Sequence, residues 1–267
     1  MRRTLDEAAA RHTIAATARE IYERHLSGAT DGNLSVRLSG DRIATTPSGV
    51  HKGRLRPEDI VITDLSGRPL ATRGSAGPVR KPSSEIALHL EAYRRRPDVH
   101  AVIHAHPPLA IAYQLAGGRL SEVLVSEVVF ACGQIATAAY TTPTTADVPA
   151  ALGAYLACYD VILMERHGSV TLGPDLDVAL GRLDALEHTA LIYCTVRMMG
   201  GAVPIPPQEV DRLFAIAHPA TPPYRTRDSA CPAPEPRPAG SPGAAAATEE
   251  ARVVAAVLER LRGRGRG

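Results

Sequence analysis

The chain contains no tryptophan and only two phenylalanines among its 267 residues. Single-stranded nucleic acid is commonly bound by stacking its bases on aromatic rings, so this scarcity argues against that function. The charge balance points the same way, because 30 lysines and arginines against 28 acidic residues leave a net charge of only +2. No overall field therefore attracts nucleic acid or a membrane surface, and any binding of an anion must be local.

Long apolar segments are also missing from the sequence. No uncharged run approaches the roughly 20 residues that are needed to cross a bilayer. Asp6, Glu7 and Arg11 interrupt the apolar residues near the start of the chain, so we expect no signal peptide. We therefore predict a cytoplasmic protein without a membrane partner.

Close cysteine pairs are absent as well. The four cysteines are separated too widely for a zinc ribbon or a redox pair. They are Cys132, Cys158, Cys194 and Cys231. A cytoplasmic location would keep them reduced, so we expect four thiols, most of them buried.

Helical and strand patterns alternate along most of the chain, which predicts an α/β layer sandwich. The first helix is predicted to begin at a capping box formed by Thr4 and Glu7 and to end near Ser27. Strands are predicted at residues 33–38, 42–45, 60–62, 99–106, 123–129, 135–139 and 161–164. Further helices are predicted after Ser83 and Ser84, from Pro107, from Thr144 or Thr145 to Cys158, and from Asp175 to Met199.

The composition changes sharply after Ala217, where proline, alanine, glycine and serine become dominant. Such a segment buries too little apolar surface to order itself, so residues 218–248 are predicted to be a linker. Residues 1–217 then form the main domain. The last segment, residues 249–267, has apolar residues at helical spacing and is predicted to be either a short amphipathic helix or a solvated tail.

Two of the ten histidines are separated by one residue at the end of a predicted strand. Alternate residues of a strand face the same side about 7 Å apart, so His104 and His106 could bind one metal ion. His167 ends another apolar strand, and Gly168 after it permits close approach of the backbone. Three neutral imidazoles leave one position of a zinc ion open for substrate, which is typical of a catalytic site. Weaker candidates are His51, His89, His100 and His188.

A carboxylate follows two serines at a predicted helix start. The amides and hydroxyls of Ser83 and Ser84 can hold an oxyanion such as phosphate, with Glu85 beside it as a general acid or base. Each of these short segments is also compatible with an ordinary turn. Further donors for the same anion could come from two loops that contain Gly32 and Asn33, and Ser48 and Gly49.

Five segments together resemble the class II aldolase/adducin family, and most closely its L-fuculose-1-phosphate aldolase-like members. They occur in the family's order within residues 5–217. The segments are residues 30–37, 46–49, 81–85, 102–107 and 166–168. The resemblance implies a three-layer α/β/α sandwich with a central, mixed and largely antiparallel sheet.

By this resemblance His104, His106 and His167 hold a divalent metal, usually Zn²⁺, with Mn²⁺ or Co²⁺ as alternatives. Glu85 is the implied acid/base and can also coordinate the metal in the resting state. The positions that match the family's phosphate-binding residues are Gly32, Asn33, Ser48, Gly49, Ser83 and Ser84.

Tyr140 follows Cys132 and Gly133 in the chain. At this place aldolases of the family carry a tyrosine that protonates the aldehyde oxygen across a subunit interface. The resemblance therefore implies that Tyr140 is catalytic and that the protein is a homotetramer with sites between subunits.

The implied reaction is the cleavage of a ketose 1-phosphate, similar to L-fuculose 1-phosphate, into dihydroxyacetone phosphate and an aldehyde through a metal-stabilised enediolate. The protein would then be a class II aldolase, a carbon–carbon lyase of carbohydrate metabolism. A sugar-phosphate 4-epimerase, a dehydratase or a decarboxylase could use related chemistry. A noncatalytic adducin-like interaction module is a further alternative, which the presence of all three histidines and Glu85 disfavours.

Overall fold

The computed structural model of the protein describes residues 6–71, 80–145, 147–217 and 231–234. The strands in these ranges are β1 (Asn33–Arg37), β2 (Arg42–Thr45), β3 (Val61–Asp64), β4 (Ala101–Ala105), β5 (Ile135–Ala138), β6 (Val161–Met164) and β7 (Gly168–Gly173). The α-helices are α1 (Glu7–Glu23), α2 (Ile86–Arg95), α3 (Pro108–Leu115), α4 (Glu127–Cys132), α5 (Asp147–Cys158), α6 (Leu176–Met198) and α7 (Pro207–Ala217).

All of these strands belong to one sheet with the order β3-β2-β1-β4-β7-β6-β5. Neighbouring strands are antiparallel except β5 and β6, which are parallel. The expected mixed, largely antiparallel sheet is therefore confirmed. Strand β7 is missing from the predictions because Gly168 and Gly173 at its ends resemble turn signals. It forms a hairpin with β6, in which Met164 pairs with Gly168.

Helices cover both faces of the sheet, which confirms the three-layer sandwich. On one face α1 and α6 pack through residues such as Ile14 and Leu183, and α3, α4 and α7 pack in the same layer as α6. On the other face α2 and α5 pack through residues such as Leu88 and Leu152. Strand β4 contributes side chains to both cores because alternate residues point to opposite faces. The strand that carries His104 is thus buried on both sides.

Two helices have boundaries that differ from the predictions. Helix α1 begins after Asp6, whose side chain accepts a hydrogen bond from the amide of Ala9, so Asp6 is its N-cap. Thr4, the predicted cap, lies outside the described residues. Helix α2 begins at Ile86, so Glu85 immediately precedes the helix instead of lying in its first turn.

The predicted strand at residues 123–129 is wrong. Val123 and Val129 are buried, but they lie in a loop and in the short helix α4, where they pack in the core formed with α3, α6 and α7. Packing in a helical layer therefore overrides the strand preference of these β-branched residues.

Cys158 and Cys231 form a disulfide across a sequence separation of 73 residues. The expectation of four thiols is therefore wrong for this pair, whereas Cys132 and Cys194 are free. Local spacing could not reveal the disulfide, because Cys231 lies within the Pro-rich segment that was predicted to be a linker.

The short segment 231–234 is also bound to the domain by hydrogen bonds. The carbonyl oxygen of Pro232 accepts a bond from the Tyr159 hydroxyl at 2.6 Å. The carbonyl oxygen of Pro234 accepts one from the Thr137 amide on β5, also at 2.6 Å. The remaining residues of the predicted linker and tail, 218–230 and 235–267, lie outside the described residues.

None of the helices in the described ranges combines the length and the apolar character needed to cross a membrane. Helix α6 is the longest of them, with 23 residues, but it carries charged side chains such as Glu187. The Glu187 carboxylate accepts hydrogen bonds from the amides of Leu109 and Ala110 at 2.9 Å each. It thereby satisfies free amides at the start of α3 and joins the two helices.

The disulfide leads to a prediction about the number of thiols. Protein that is purified without reductant and then denatured should titrate two thiols, from Cys132 and Cys194, and four after reduction. Cys231→Ser should add one thiol to the count before reduction, because Cys158 loses its partner, whereas the control Cys194→Ser should remove one. Four thiols before reduction would contradict the pairing.

Candidate active site

Three histidines meet at one edge of the sheet. His104 is in β4, His106 follows the end of that strand, and His167 lies in the tight turn between β6 and β7. The ring centroids are separated by 4.9 Å for His104 and His106, 4.9 Å for His104 and His167, and 5.2 Å for His106 and His167. One nitrogen from each ring lies within 4.8 Å of the others, a spacing that could hold a metal ion.

The hydrogen bonds around His104 determine which of its nitrogens is free. Its Nδ1 lies 2.9 Å from the carbonyl oxygen of Ser169, which can only accept, so Nδ1 carries the proton. The lone pair of Nε2 then points toward His106 Nε2 at 3.2 Å and Glu85 Oε2 at 3.3 Å. A backbone carbonyl that orients a ligating imidazole is common at metal sites.

Burial favours the neutral form of the other two histidines. Burial lowers the pKa of His106 to about 3, with further lowering by the neighbouring His104 and His167. Burial also lowers the pKa of His167, and proximity to His104 adds to this effect. Neutral imidazoles have a lone pair available for a metal, so these residues suit the ligand role.

Glu85 faces the histidines from the start of α2. Its Oε1 lies 3.6 Å from His167 Nε2 and has no hydrogen-bond partner among the described residues although it is buried. Burial alone would raise the pKa of Glu85, but the Asn33 side-chain amide donates to Oε2 at 2.9 Å and favours the ionised carboxylate. An ionised carboxylate and several lone pairs thus converge, and a divalent cation fits this donor set.

Two glycines allow close approach to the strand that carries His104 and to the residues that follow it. A Cβ atom on Gly168 would lie 2.5 Å from His106 Cδ2 and 2.5 Å from the carbonyl oxygen of Ala105. Gly32 has φ +71°, and a Cβ atom there would lie 2.7 Å from the carbonyl oxygen of His104. A side chain at either position would displace the histidines.

An open cavity of about 230 Å³ lies above the cluster. Its walls include Glu85, His106 and His167, while His104 is buried below. The six residues that were predicted to bind phosphate also line it: Gly32, Asn33, Ser48, Gly49, Ser83 and Ser84. Their loops are joined directly, because the Ser48 amide donates to Lys81 O at 3.0 Å and the Ser83 amide donates to Thr46 O at 3.1 Å.

Residues 12–194 match the family model for the Class II Aldolase and Adducin N-terminal domain. The chain belongs to the class II aldolase and adducin family. A similar relative is the methylthioribulose-1-phosphate dehydratase of Methylococcus capsulatus, which is 38% identical over 64% of this chain and 85% of the relative. Another is the 5-methylthioribulose-1-phosphate/5-deoxyribulose-1-phosphate aldolase of Rhodospirillum rubrum, which is 32% identical over 77% of this chain and 90% of that relative.

Solved structures agree with this family membership. The L-fuculose-1-phosphate aldolase from Thermus thermophilus superimposes with a TM-score of 0.61 and 28% identity, over 74% of this chain and 98% of that chain. The predicted resemblance and fold are therefore confirmed. Class II aldolases typically depend on a divalent metal, which agrees with the three-histidine cluster of this family member.

A buried lysine in the cavity wall is missing from the sequence-based predictions. Lys52 is only 2% exposed, and its Nζ donates to the carbonyl oxygens of Thr30 at 2.9 Å and Val50 at 3.3 Å. Burial lowers the pKa of Lys52 to about 8, although the carboxylates of Asp31 and Glu85 oppose this shift. The lysine is therefore mostly charged at neutral pH. The sequence offered one indication of this role: Lys52 lies four residues after Ser48, a residue that was predicted to bind phosphate.

Tyr140 lies apart from the cavity within a single chain. Its side chain is 52% exposed and does not line the cavity. Its amide donates to the Glu165 carboxylate at 3.1 Å. A role in another subunit's site therefore stays a prediction.

Two of the weaker histidine candidates have contacts that explain their positions. His51 accepts a hydrogen bond from the Gly53 amide and packs against Tyr22, so it stabilises a turn. His89 is fully buried in α2 and is hydrogen-bonded to Asn33 at 2.5 Å. It thus adjoins the site without lining the cavity.

The close contacts of Gly168 lead to a prediction about metal binding. Gly168→Ala should lower the affinity for Zn²⁺ by about 10- to 100-fold, because the added methyl group would displace the imidazole of His106. Competition with a chelating indicator would measure this change. The control is Gly181→Ala on α6, where an added Cβ meets no atom within 4 Å. Equal affinities for both variants would contradict the proposed ligand set.

Proposed function

We propose that this family member is a metal-dependent aldolase that cleaves a ketose 1-phosphate into dihydroxyacetone phosphate and an aldehyde. The observation that carries the proposal is one cavity that combines a three-histidine cluster, an ionised carboxylate and a wall of amide, hydroxyl and ammonium donors. The relatives from Methylococcus and Rhodospirillum are named for ketopentose 1-phosphates, which supports a five-carbon substrate with a nonpolar group at C5.

The phosphate would bind among the cavity residues that match the family's phosphate-binding positions. Gly32, Asn33, Ser48, Gly49, Ser83 and Ser84 line the cavity, and Lys52 supplies a positive charge. The amides of Ser48 and Ser83 already donate to Lys81 and Thr46, so the hydroxyl groups of these serines would be the donors to phosphate. Amides and hydroxyls that already face a cavity can bind an oxyanion without rearrangement.

His104, His106 and His167 would hold the divalent cation, Zn²⁺ in the first instance, with Glu85 as an additional ligand before substrate binds. Such a cation would act as a Lewis acid on the substrate carbonyl and stabilise the negative charge that develops in the reaction.

Glu85 would move the proton at C3 of the substrate. In the condensation direction its carboxylate accepts a proton from C3 of dihydroxyacetone phosphate, and the electron pair left on C3 forms the bond to the aldehyde carbon. In the cleavage direction the C3–C4 bond breaks, its electron pair stays on C3, and Glu85 returns the proton to that carbon. The C4 hydroxyl proton leaves at the same time, and Tyr140 of a neighbouring subunit is the proposed acceptor.

Dehydration of the same class of substrate is the second candidate. Glu85 would then take the C3 proton and give it to the C4 hydroxyl, which leaves as water without cleavage of the carbon chain. The C3–C4 enol that remains would tautomerise to a 2,3-diketone phosphate. Two observations favour it: the 38% identical relative is named as a dehydratase, and Tyr140 lies outside the cavity of the single chain.

Product analysis separates the two reactions. The metal-loaded protein would be incubated with 5-methylthioribulose 1-phosphate, 5-deoxyribulose 1-phosphate and L-fuculose 1-phosphate. We expect dihydroxyacetone phosphate, which a coupled reductase assay detects, from at least one of them. A diketone phosphate without dihydroxyacetone phosphate would establish the dehydratase, and no turnover of any ketose 1-phosphate would contradict both proposals.

Replacement of the carboxylate should separate metal binding from proton transfer. Glu85→Gln should retain Zn²⁺ on the three histidines but lower kcat by about 10²- to 10⁴-fold, because an amide cannot exchange the C3 proton. Elemental analysis and steady-state rates would measure the two effects. Glu58→Gln is the matched control, since Glu58 lies in an exposed turn with 68% of its side chain accessible. Wild-type activity in Glu85→Gln would refute the assigned role.

A further inference from the structure

Strand β1 and helix α2 present two rows of polar side chains to each other beside Glu85. Asn33 and Ser35 are two residues apart on β1 and therefore point to the same face. His89 and Tyr93 are four residues apart and lie on one side of α2, and Glu85, four residues before His89, is the N-cap of this helix. The two rows interleave, and each side chain of one row contacts its neighbours in the other.

Continuous hydrogen bonds connect these five side chains. Asn33 Nδ2 lies 2.9 Å from Glu85 Oε2, and Asn33 Oδ1 lies 2.5 Å from His89 Nε2. Ser35 Oγ lies 2.7 Å from His89 Nδ1 and 2.7 Å from the Tyr93 hydroxyl. The chain therefore runs from Tyr93 through Ser35, His89 and Asn33 to the carboxylate of Glu85.

The Glu85 carboxylate determines which group donates and which accepts in every hydrogen bond of this series. Because ionised Glu85 can only accept, Asn33 must turn its NH₂ group toward it and its carbonyl toward His89. His89 Nε2 must then carry the proton, which leaves Nδ1 of the neutral ring to accept from Ser35. The Ser35 oxygen in turn accepts from the Tyr93 hydroxyl.

The side chains of this hydrogen-bond chain are buried in the protein. His89 and Ser35 are 0% exposed, Tyr93 is 2% exposed and Asn33 is 3% exposed. Breaking one bond would leave a buried polar group without a partner, so one arrangement is strongly favoured. Burial also lowers the pKa of His89 to about 3, which keeps the ring neutral.

We propose that His89, Ser35 and Tyr93 are positioning residues that lock the Asn33 amide, and through it the Glu85 carboxylate, in the orientation required for proton transfer. This inference deepens the proposed function and rests on it for the role of Glu85. A flipped Asn33 would direct its carbonyl oxygen at the carboxylate and into the cavity that is proposed to receive a phosphate. The hydrogen-bond chain thus keeps the donor NH₂ group of Asn33, instead of its acceptor oxygen, directed at the Glu85 carboxylate and at the proposed phosphate.

The first test reads the tautomer of His89 without any assay of activity. Protein labelled with ¹⁵N-histidine would be examined by long-range ¹⁵N–¹H correlation near neutral pH, both metal-free and with Zn²⁺. The His89 resonances are identified by their loss in His89→Leu. We expect a neutral ring with a slowly exchanging proton on Nε2. A proton on Nδ1, or a doubly protonated ring, would overturn the proposal.

The second test uses a pair of tyrosine variants. Tyr93→Phe removes the end of the chain and should lower kcat by about 2- to 10-fold, the effect of one hydrogen bond, with KM changed by less than about twofold. Tyr193→Phe is the control, because its hydroxyl is also buried but bonds to Glu122 O and Leu124 N in a different core. A structural role alone would lower thermal stability in both variants and leave kcat equal, which would contradict the proposal.

His89→Leu should have the larger effect, lowering kcat by about 10- to 100-fold while bound Zn²⁺ stays at the wild-type amount. If this variant does not fold, Tyr93→Phe by itself decides the question. Failure of the proposed function would appear as wild-type protein without lyase activity but with the expected His89 tautomer. Failure of the positioning role would appear as an active enzyme with the other tautomer, or with unchanged kcat in Tyr93→Phe.

Discussion

The site depends on the antiparallel pairing of β4 with β1 on one side and with β7 on the other. In this register Asn33 lies opposite His104, and Ala105 lies opposite Ser169. Antiparallel pairing places the start of β1, the end of β4 and the start of β7 at the same edge of the sheet. Residues that are far apart in the sequence therefore converge there, and the sheet that holds them is covered by helices on both faces.

The electrostatics of the site follow from this burial. Burial lowers the pKa of His106 to about 3 and also lowers the pKa of His167, which favours free lone pairs on both rings, while the Asn33 amide favours ionised Glu85. Lys52 adds a buried cation to the lining of the same cavity. Glu85 and Lys52 are already held by hydrogen bonds before a substrate arrives, so they need little rearrangement to interact with it.

Local patterns in the sequence predicted a large part of the fold and the components of the site. The apolar run of β6 and the alternation of β1 identified strands correctly, and spacing alone made His104 and His106 a candidate pair. Patterns failed where long-range packing decides the outcome. Residues 123–129 are apolar enough for a strand but pack in a helical layer, and Cys231 is joined to Cys158 from a segment whose composition resembles a linker.

The sequence by itself determined the types of chemistry that this protein can carry, because imidazole, carboxylate and serine-rich turns are properties of the residues and their spacing. Only the tertiary structure decided which nitrogen of His104 is free, how Lys52 enters the cavity wall, and how His89 connects to Glu85 through Asn33. These features depend on distances between β1, β4, β7 and α2. Such distances are set by the register of the sheet and by packing of the helix on it, which no local pattern encodes.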